Sequence, residues 1–509
     1  MHNDSQIMLL DDLIKPWLSD YDPSIRVSGL TLDSRQICRG YLFIALQGAQ
    51  HDGRLFIEKS LKMGACAVLS ETKNRSEHGQ VTIKSGVPVF AVYKPAAILS
   101  ALAYRFFFRK IKLHKVIAVT GTNGKTTIAS LLADSFMLLG KQSAQMGTIG
   151  NGLFGQLKSS LNTTLDAISV FSELHCYQQQ RAEYTIMEVS SHGLDQGRVS
   201  AVPFFSAIFT NLTRDHLDYH GSMENYHLAK KSLFEKYPLK QRIINADDPI
   251  GAQWLTDFPD AISYGFNAKA LTDKQSYLRV TDVDYHAQGV TFAFHSSWGK
   301  GVVSAPFYGD FNVSNLAAVL TQLLVENVSI EHVQTIFPKL STVPGRMEQY
   351  YFAEKNITFV VDYAHTPDAL EKVLLALQKH KSSGRLICVF GCGGDRDTGK
   401  RPQMANIAES YAQKVVLVDD NPRTENAQSI IEDILQGFAR PDRVEVIHDR
   451  RQAVNFLLNS AQSDDIVLLA GKGHEDYQIF GTQRVHYSDR ECLASLQKSA
   501  DLVDYSAHK

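Results

Sequence analysis

A glycine-rich segment with one lysine and paired threonines is the first group of residues that could do chemistry. Residues 120–127 read TGTNGKTT, follow an apolar run and precede a helical pattern. Glycines let backbone N–H groups turn towards phosphate oxygens, Lys125 can reach the outer phosphates, and Thr126 can ligate Mg²⁺. The spacing departs from G-x-x-x-x-G-K-[ST], because Val119 stands five residues before Gly124. We therefore predict a shortened phosphate-binding loop.

A glutamate ends the next apolar run, and two serines and a histidine follow it. Glu188 is placed to act as a metal-binding carboxylate, with a solvated glutamate at a strand end as the alternative. Ser190 or Ser191 beside His192 would fit a serine hydrolase. Adjacent residues rarely point at each other, however, and no G-x-S-x-G segment is present. We do not interpret these serines as nucleophiles.

Histidines and aspartates are dense in the loop after the third run. Residues 211–220 read NLTRDHLDYH, which indicates metal or phosphate binding, although the spacing matches no zinc signature. A surface loop is the alternative interpretation. Downstream, Lys230 and Lys231 taken alone are typical of a solvated helix face.

Three polar loops follow apolar runs in the last third of the chain. They are 391–397 (GCGGDRD), 420–423 (DNPR) and 471–475 (GKGHE). The last resembles a phosphate loop, but no Ser or Thr follows its Lys-Gly pair and no helical pattern starts there. Loops at the carboxyl ends of neighbouring parallel strands converge on one cleft, so we expect these three to meet. Unrelated surface loops are the alternative.

The elements that must position these residues are buried parallel strands alternating with helices. Short β-branched runs followed by Gly-, Asn-, Asp- or Ser-rich turns and then helical patterns predict an α/β fold. Between Tyr264 and Val303 an alternating pattern predicts antiparallel strands instead. A turn at 343–345 (VPG) marks a boundary. The six clearest runs are 115–120, 184–189, 207–211, 386–390, 415–418 and 466–470.

Length and composition limit the class of protein. The 509 residues predict about three domains. Lys+Arg total 52 against Asp+Glu 54, a net charge of −2 that disfavours nucleic acid as the main partner. The six cysteines are scattered without a Cys-x-x-Cys pair, which favours reduced thiols in a cytosol. No signal-peptide pattern and no apolar run near the ~18 residues of a membrane span is present, so we expect no membrane insertion.

Taken together, these segments resemble the Mur ligase family. Within that family they are similar to the members that add meso-diaminopimelate to a UDP-linked muramoyl dipeptide, and the resemblance covers essentially the whole chain. The segments that carry it are TGTNGKTT (120–127), NTT (162–164), EVSSHGL (188–194), TNLTRDHLDYHG (210–221), GDFNVSN (309–315), PGRME (344–348), DYAHTPDAL (362–370), GCGGDRD (391–397), DNPR (420–423) and GKGHEDYQ (471–478).

The resemblance implies three α/β domains. They are a small UDP-substrate-binding domain (1–113), a central P-loop ATPase domain with a parallel sheet and a smaller antiparallel part (114–342), and a C-terminal Rossmann-like domain that brings the amino acid (343–509). It also implies an ATP-dependent amide ligase of peptidoglycan precursor synthesis in the cytoplasm, acting through an acyl phosphate. Mg²⁺ is the implied cofactor, ATP, the UDP-linked dipeptide and meso-diaminopimelate are the implied substrates, and a monomer is expected.

Matching the family's segments to this chain gives a set of expected site residues. For the UDP-linked substrate these are Leu32, Ser34, Ala49, Gln50, His51, Asn162, Thr163, Thr164, Ser190, Gln196 and Arg198. For ATP they are Gly121, Thr122, Asn123, Gly124, Lys125, Thr126, Thr127, Asn312, Arg346 and Asp362. For diaminopimelate they are Arg396, Asp420, Asn421, Pro422, Arg423, Gly471 and Glu475.

The expected catalytic residues are Lys125, Glu188, His216 and Lys230, and the expected metal ligands are Thr126, Glu188, His216 and Lys230. Lys230 matches the family's carbamylated lysine, although Lys231 next to it is an alternative. A carbamate turns a cationic side chain into an anionic oxygen donor, which suits a hard metal ion. Arg423 is the candidate that clamps the extra carboxylate of diaminopimelate with two hydrogen bonds.

Two other functions stay open at this point. A folylpolyglutamate synthase also forms amides through acyl phosphates, but it lacks a UDP-binding domain, which the segment before Lys115 favours here. A nucleotide-gated binding module without turnover is the second alternative. The loop after DNPR reads Thr424-Glu425-Asn426-Ala427, where the family more often has an acidic residue and a proline after the glutamate. This departure affects loop stiffness more than chemistry.

Overall fold

The computed structural model of the chain describes residues 7–19, 21–48, 52–109, 111–160, 162–270, 275–286 and 288–507, with the side chains of 218 and 499–507 excepted. Its contacts divide it into two compact units. Unit 1 comprises Met1–Lys125 and Phe136–Ile244, and unit 2 comprises Thr126–Ser135 and Asn245–Lys509. The domain boundaries at 113/114 and 342/343 stay a prediction.

The elements up to Asn245 are strands that belong to three sheets, with helices between them. The strands are β1 (Met8–Leu9), β2 (Arg26–Val27), β3 (Gly29–Thr31), β4 (Tyr41–Ala45), β5 (Ala67–Thr72), β6 (Val81–Lys84), β7 (Val87–Tyr93), β8 (Lys115–Thr120), β9 (Ser143–Gly147), β10 (Gly150–Leu153), β11 (Tyr184–Glu188), β12 (Ser206–Phe209) and β13 (Gln241–Asn245). The helices are α1 (Leu10–Ile14), α2 (Ile57–Lys62), α3 (Ala96–Phe108), α4 (Lys125–Leu138), α5 (Ala167–Gln179), α6 (Ser191–Asp195), α7 (Leu217–His220) and α8 (Met223–Lys236).

Strands β8 to β13 place the phosphate loop and Glu188 side by side. They run in the order β10-β9-β11-β8-β12-β13, and apart from β10 with β9 these pairs are parallel. Val119 at the end of β8 pairs with Glu188 at the end of β11. Thr120 pairs with Phe209 at the end of β12. All three strands therefore end at the same edge, where ligands bind in such sheets.

The elements after Asn245 complete the chain. The strands are β14 (Ile262–Gly265), β15 (Tyr277–His286), β16 (Gly289–Ser296), β17 (Gly299–Ala305), β18 (Glu348–Phe352), β19 (Ile357–Asp362), β20 (Leu386–Phe390), β21 (Lys414–Leu417), β22 (Glu445–Val446), β23 (Ile466–Ala470), β24 (Tyr477–Phe480) and β25 (Gln483–His486). The helices are α9 (Pro249–Asp257), α10 (Asp310–Val325), α11 (Ile330–Ile336), α12 (Pro367–His380), α13 (Lys400–Tyr411), α14 (Ala427–Leu435), α15 (Arg450–Ser460) and α16 (Asp489–Ala507).

The antiparallel part begins later than the sequence pattern predicts. Strands β15, β16 and β17 pair antiparallel in succession. The strand at Tyr264, however, pairs parallel with β15 through Ser263, Tyr264 and Gly265. Gly265 adopts a φ of +128° that favours glycine. The expectation is therefore confirmed from Tyr277 onwards and is wrong for Tyr264 itself.

The last sheet explains why its strands read as unbroken apolar runs. Its order is β18-β19-β23-β20-β21-β22, with β18 antiparallel and the other pairs parallel. Along β20, Leu386, Cys388 and Phe390 pack under α12, α13 and α14, whereas Ile387 and Val389 pack under α15 and α16. Alternate side chains point to opposite faces, and both faces are covered by helices. Each large apolar side chain buried in this way contributes about 1.5–3 kcal/mol.

Two further observations bear on the sequence expectations. In the described ranges no helix is both long and apolar enough to cross a bilayer. All six cysteines are free thiols, which agrees with the expectation from their spacing.

Candidate active site

The phosphate loop is fixed on the loop that follows β12. Thr122 N donates to Asn211 O at 2.8 Å, and Asn123 N donates to Asn211 Oδ1 at 3.0 Å. Thr210 Oγ1 donates to Asn123 O at 2.6 Å. Gly121 has a φ of +147°, and a Cβ there would lie 1.8 Å from Thr210 Oγ1, so the position requires glycine. Helix α4 begins directly after the loop, as the sequence predicts.

Two lysine ammonium groups converge on one carbonyl of this loop. Lys125 Nζ donates to Gly121 O at 2.9 Å and to Thr122 O at 2.8 Å. Lys230 Nζ donates to the same Gly121 O at 2.8 Å and lies 4.8 Å from the centre of the Tyr226 ring. Helix α8 thus brings Lys230 to the phosphate loop.

Burial makes Lys230 chemically unusual. Its exposure is 1%, and its pKa lies well below the ordinary lysine value because burial disfavours the ammonium and Lys125 repels it, while Asp215 acts in the other direction. Lys231, the alternative for modification, is half-buried on α8 and instead pairs with Glu235 at 3.2 Å. The geometry therefore favours Lys230 over Lys231 as the reactive amine.

Glu188 is held by the end of the neighbouring strand. The side chain has no exposed surface. Thr148 N donates to Glu188 Oε1 at 2.8 Å, and Thr148 Oγ1 donates to Glu188 Oε2 at 3.2 Å. A Cβ on Gly147 would lie 2.1 Å from Glu188 Oε1, so this glycine leaves room for the carboxylate.

The loop after β12 carries His216, the expected metal ligand of this segment. His216 is exposed, adopts a left-handed φ of +52°, and its ring centre lies 4.9 Å from that of His192. Across the described part of the chain no three His, Cys, Asp or Glu side chains are grouped to hold a metal ion. Mg²⁺ keeps several waters and takes few protein carboxylates, so the single buried carboxylate of Glu188 is compatible with this ion.

The expected contacts to the UDP-linked substrate form a second group beside Glu188. Ser190 accepts from Gly193 N at 3.1 Å and caps α6, a structural role that agrees with its not being a nucleophile. Thr164 Oγ1 donates to Glu188 O at 3.0 Å and lies 3.0 Å from Ser190 Oγ. Arg198 donates through Nη1 to Thr164 O at 2.6 Å, and burial lowers its pKa.

The remaining substrate residues are placed as follows. Arg198 Nε donates to Gln196 Oε1 at 2.9 Å, and Thr163 Oγ1 lies 3.0 Å from Thr148 Oγ1. Asn162 is exposed. Leu32 and Ser34 lie just after β3, where Ser34 begins a short 3₁₀ turn. Ala49, Gln50 and His51 lie outside the described residues.

Three residues in the part of the chain after Asn245 are expected to contact ATP. Asp362 ends β19, accepts from Met347 N and Ala364 N at 2.8 Å each, and burial raises its pKa. The Arg346 guanidinium lies 4.7 Å from the centre of the Tyr363 ring, and its buried Nε has no hydrogen-bond partner among the described residues.

Asn312 has a neighbour that the sequence analysis missed. Asn312 Nδ2 donates to Tyr308 O at 2.9 Å, and Asn312 Oδ1 accepts from Asn315 Nδ2 at 3.1 Å. Both amides are buried on one face of α10. The spacing of three residues within GDFNVSN is the signal that could have identified Asn315.

The three polar loops of the last third meet, as predicted. Arg423 Nη1 donates to Gly394 O at 2.7 Å, which joins the DNPR and GCGGDRD loops. Lys472 lies 3.0 Å from Asn421 Oδ1, which joins GKGHE to DNPR. Arg423 has a left-handed φ of +54°, and Arg423 N donates to Ile479 O at 3.0 Å. Hairpin β24–β25 thus fixes the backbone that presents this arginine.

The other residues expected to bind diaminopimelate surround the same place. Asp420, Asn421, Pro422 and Gly471 are buried, Glu475 is half-buried and Arg396 is exposed. A Cβ on Gly471 would meet no atom closer than Asp420 Oδ2 at 4.0 Å, although its φ of +108° favours glycine.

Two buried cations support these loops and were missed by the sequence analysis. Lys472 has no exposed surface and contacts Asn421 Oδ1, Glu475 Oε2 at 2.9 Å and Asp420 Oδ1 at 3.1 Å. Arg401, 1% exposed, donates to Glu425 Oε2 and Asp433 Oδ2 at 2.8 Å each. The lysine stands in a segment that the sequence analysis had singled out, whereas Arg401 has no comparable signal.

Comparison with known proteins gives the same picture along the whole chain. Three family descriptions match it: "Mur ligase family, catalytic domain" over residues 26–107, "Mur ligase middle domain" over 119–323, and "Mur ligase, glutamate ligase domain" over 345–473. A curated relative from Haemophilus influenzae, UDP-N-acetylmuramoyl-L-alanyl-D-glutamate–2,6-diaminopimelate ligase, is 49% identical over 481 residues, which are 94% of this chain and 98% of the relative.

Solved structures of related enzymes are also similar to this chain. A structure of a UDP-N-acetylmuramoyl-L-alanyl-D-glutamate–2,6-diaminopimelate ligase aligns with a TM-score of 0.73 and 38% identity, covering 97% of this chain and 99% of that one. A folylpolyglutamate synthase of Mycobacterium tuberculosis shares the fold, with a TM-score of 0.56 and 17% identity over 74% of this chain and 92% of that one. With three consecutive domains matched and close relatives spanning almost its full length, the chain belongs to the Mur ligase family.

Proposed function

We propose that this chain joins meso-diaminopimelate to the D-glutamyl carboxylate of UDP-N-acetylmuramoyl-L-alanyl-D-glutamate, using ATP, in peptidoglycan precursor synthesis. The observation that carries the proposal is the Haemophilus influenzae relative, 49% identical over 94% of the chain, whose name states these substrates. ATP and the UDP-linked substrate are nucleotides of the cytoplasm, so the proposed place of action is there, and we expect a monomer.

The first step activates the carboxylate. A carboxylate is a poor electrophile, so one of its oxygens attacks the γ-phosphorus of ATP, and an acyl phosphate and ADP result. Lys125 leaves the carbonyls of Gly121 and Thr122 and donates to the transferring phosphoryl group, while backbone N–H groups of residues 121–124 hold the phosphates. When bound, Mg²⁺ offsets the repulsion between the two anionic reactants.

A modified Lys230 supplies an oxygen donor to this site. The lowered pKa leaves its amine neutral at a higher fraction than an exposed lysine, and a neutral amine is the form that reacts with CO₂. The reaction forms an N–C bond and releases one proton. The resulting carbamate is anionic, which removes the repulsion with Lys125. Glu188, Thr126 and His216 are the other proposed ligands.

The second step forms the amide. The neutral amine of diaminopimelate attacks the acyl carbon, and a tetrahedral intermediate forms. The C–O bond to phosphate then breaks, the amine loses its proton, and phosphate leaves with one oxygen that came from the carboxylate. Asn312, Arg346 and Asp362 are the proposed contacts to ATP from the part of the chain after Asn245, and Ser34, Thr164, Ser190 and Arg198 are among those to the UDP-linked substrate.

Arg423 is the proposed determinant of the amino acid. Diaminopimelate differs from lysine by one carboxylate on the distal amine-bearing carbon. The Gly394 carbonyl takes one N–H of Arg423 and fixes the guanidinium, so the remaining N–H groups can clamp that carboxylate. Glu475 is the proposed partner of the adjacent ammonium, and Asn421 is a further proposed residue of the amino-acid site.

Phosphate release tests the proposal. The assay contains ATP, Mg²⁺ and UDP-N-acetylmuramoyl-L-alanyl-D-glutamate, with either meso-diaminopimelate or L-lysine as the amine. We expect release with diaminopimelate and little with lysine. Release with lysine alone would keep the ligase but contradict the role of Arg423, and no release with either amine would contradict the proposed activity.

A further inference from the structure

Lys472 is a fully buried cation that the proposed mechanism does not use. It stands in the GKGHE loop after β23, and its ammonium lies 3.0 Å from Asn421 Oδ1, 2.9 Å from Glu475 Oε2 and 3.1 Å from Asp420 Oδ1. No helix follows the loop, since β24 begins at Tyr477. The lysine therefore does not act as a phosphate-loop lysine.

Charge counting shows what the cluster lacks. Asp420 and Glu475 carry two negative charges, and Lys472 neutralises one of them. Buried charges are costly unless they are paired, so one further cation is favourable here. The side chains of Asp420 and Glu475 keep 12% and 17% exposure, whereas that of Lys472 has none. The side of the cluster that is open to solvent is therefore formed by the side chains of Asp420 and Glu475 and not by that of Lys472.

A second buried ion pair in the same domain provides a contrast. Arg450 and Asp489 pair at 2.7 Å with side-chain exposures of 1% and 0%. Arg450 also donates to Ala470 O at 3.2 Å, and Tyr487 donates to Asp489 Oδ1 at 2.7 Å. One cation meets one anion there and no carboxylate is exposed. Arg450 also attracts Asp420, and the pair and the cluster together hold three carboxylates and two cations, so one negative charge still remains.

The contacts of Lys472 also orient an amide. Asn421 Oδ1 accepts from Lys472 Nζ and from Ile479 N, both at 3.0 Å. With its oxygen occupied in this way, Asn421 turns Nδ2 towards Glu475 Oε2 at 3.4 Å. Ile479 O in turn accepts from Arg423 N. Lys472 thus contacts the residues that the proposed function assigns to binding the amino acid, and it is buried behind them.

We propose that Lys472 is a positioning residue of the amino-acid site: it holds Asp420, Asn421 and Glu475 so that one carboxylate charge stays available to the distal ammonium of the incoming amino acid. This inference rests on the proposed function, which places diaminopimelate at these residues. Lys472 itself does not touch the substrate.

Replacing the ammonium while keeping the side-chain length is the first test. Lys472→Met is expected to raise the KM for diaminopimelate about 10- to 100-fold, while the KM values for ATP and the UDP-linked substrate and kcat at saturation change little. Arg385→Met is the matched control. It breaks the pair with Asp465, which lies 2.6 Å away. These two residues directly precede β20 and β23, whereas the GKGHE loop follows the other end of β23. We expect Arg385→Met to lower stability and to leave the KM for diaminopimelate unchanged.

Chemical rescue separates positioning from folding. Lys472→Ala removes the atoms of a propylammonium ion. Propylammonium added to this variant is expected to restore at least part of the affinity for diaminopimelate, whereas 1-propanol, of similar size and uncharged, is not. Equal effects of the two additives, or none from either, would overturn the inference. If the alanine variant does not fold, Lys472→Arg, which keeps the charge, is compared with Lys472→Met. The inference requires a lower KM for diaminopimelate in the arginine variant.

A double-mutant cycle with Glu475→Gln distinguishes failure of this inference from failure of the proposed function. If Glu475→Gln alone leaves the KM for diaminopimelate unchanged, the proposed amino-acid site is wrong. If Glu475→Gln raises that KM and Lys472→Met does not, the site stands and the inference is overturned. We expect each single change to raise the KM for diaminopimelate. The double change should raise this KM by less than the product of the two single factors.

Discussion

At the scale of single residues, Lys230 is the group whose surroundings change its chemistry most. Its folded pKa lies below the unfolded value because of burial first and Lys125 second. Between these two values the unfolded chain binds more protons, so stability rises with pH there, and the cost of burying this amine is largest at pH values below the folded pKa.

Lys230→Met is therefore expected to stabilise the protein in CO₂-free buffer at pH 7 and to abolish phosphate release. The free energy of unfolding of this variant should also vary less with pH above pH 7 than that of the parent protein. Urea unfolding at pH 7 and 9 measures both effects. Lys231→Met, which removes the pair with Glu235, is the control and should keep activity. Loss of activity in the Lys231 variant with retention in the Lys230 variant would reverse the assignment.

Carbon dioxide gives a second readout on the same residue. Because a ligand that binds only the folded form stabilises it, added bicarbonate should raise the unfolding midpoint of the parent protein. The Lys230→Met variant should not respond. An equal response in both proteins would show that CO₂ acts elsewhere.

Arg423→Ala tests the amino-acid clamp. Removing one partner of a hydrogen-bonded charge pair costs about 2–5 kcal/mol, so kcat/KM for diaminopimelate should fall by at least about 30-fold. ATP binding, followed by the change in unfolding midpoint with added nucleotide, should persist. Unchanged kinetics for diaminopimelate would contradict the role of Arg423.

At the scale of elements, the approach of β9 to β11 fixes Glu188. Gly147→Ala places a Cβ 2.1 Å from Glu188 Oε1, so the carboxylate must move and activity should fall by at least about tenfold through lost transition-state stabilisation. Gly140→Ala is the control, since its φ of +75° strains alanine but a Cβ there meets nothing within 4 Å. It should lower the unfolding midpoint and keep activity. Normal activity in Gly147→Ala would show that Glu188 tolerates displacement.

Element types were predictable because both faces of the strands are buried. The runs at 115–120, 184–189 and 466–470 appear as β8, β11 and β23, and the loops after them carry the polar residues. The parallel pairing of Tyr264 was not predictable, since alternation within one strand does not specify the direction of its neighbour.

Burial of single polar side chains was the part that the sequence could not supply. Lys472 and Lys231 are both lysines in polar segments, yet one has no exposed surface and the other pairs on a helix face. The difference arises from which loops the sheet brings together. Lys472 can be buried because Asp420, about 50 residues away in the chain, supplies a carboxylate next to its ammonium.

At the scale of the whole molecule, His380 connects distant parts of unit 2. It ends α12, and its Nε2 accepts from Gly309 N at 2.9 Å, directly before α10. Burial lowers the pKa of His380, with a smaller opposing effect of its bond to His286 O. The unfolded chain therefore binds a proton that the folded chain does not as the pH falls below about 6.5, and stability falls with it.

His380→Gln is expected to flatten this pH dependence. The free energy of unfolding, measured in urea at pH 7.5 and 5.5, should fall less on acidification in the variant than in the parent protein. Some dependence remains, because burial also lowers the pKa values of His114 and His175. An identical fall in both proteins would show that His380 does not contribute.

The central claim is that amide formation passes through an acyl phosphate, and isotope transfer tests it most directly. The UDP-linked substrate is labelled with ¹⁸O in both oxygens of its D-glutamyl carboxylate and incubated with ATP, Mg²⁺ and meso-diaminopimelate. We expect one ¹⁸O in each phosphate released and one left in the new amide, read by mass spectrometry. Unlabelled phosphate with amide formed at the normal rate would contradict it.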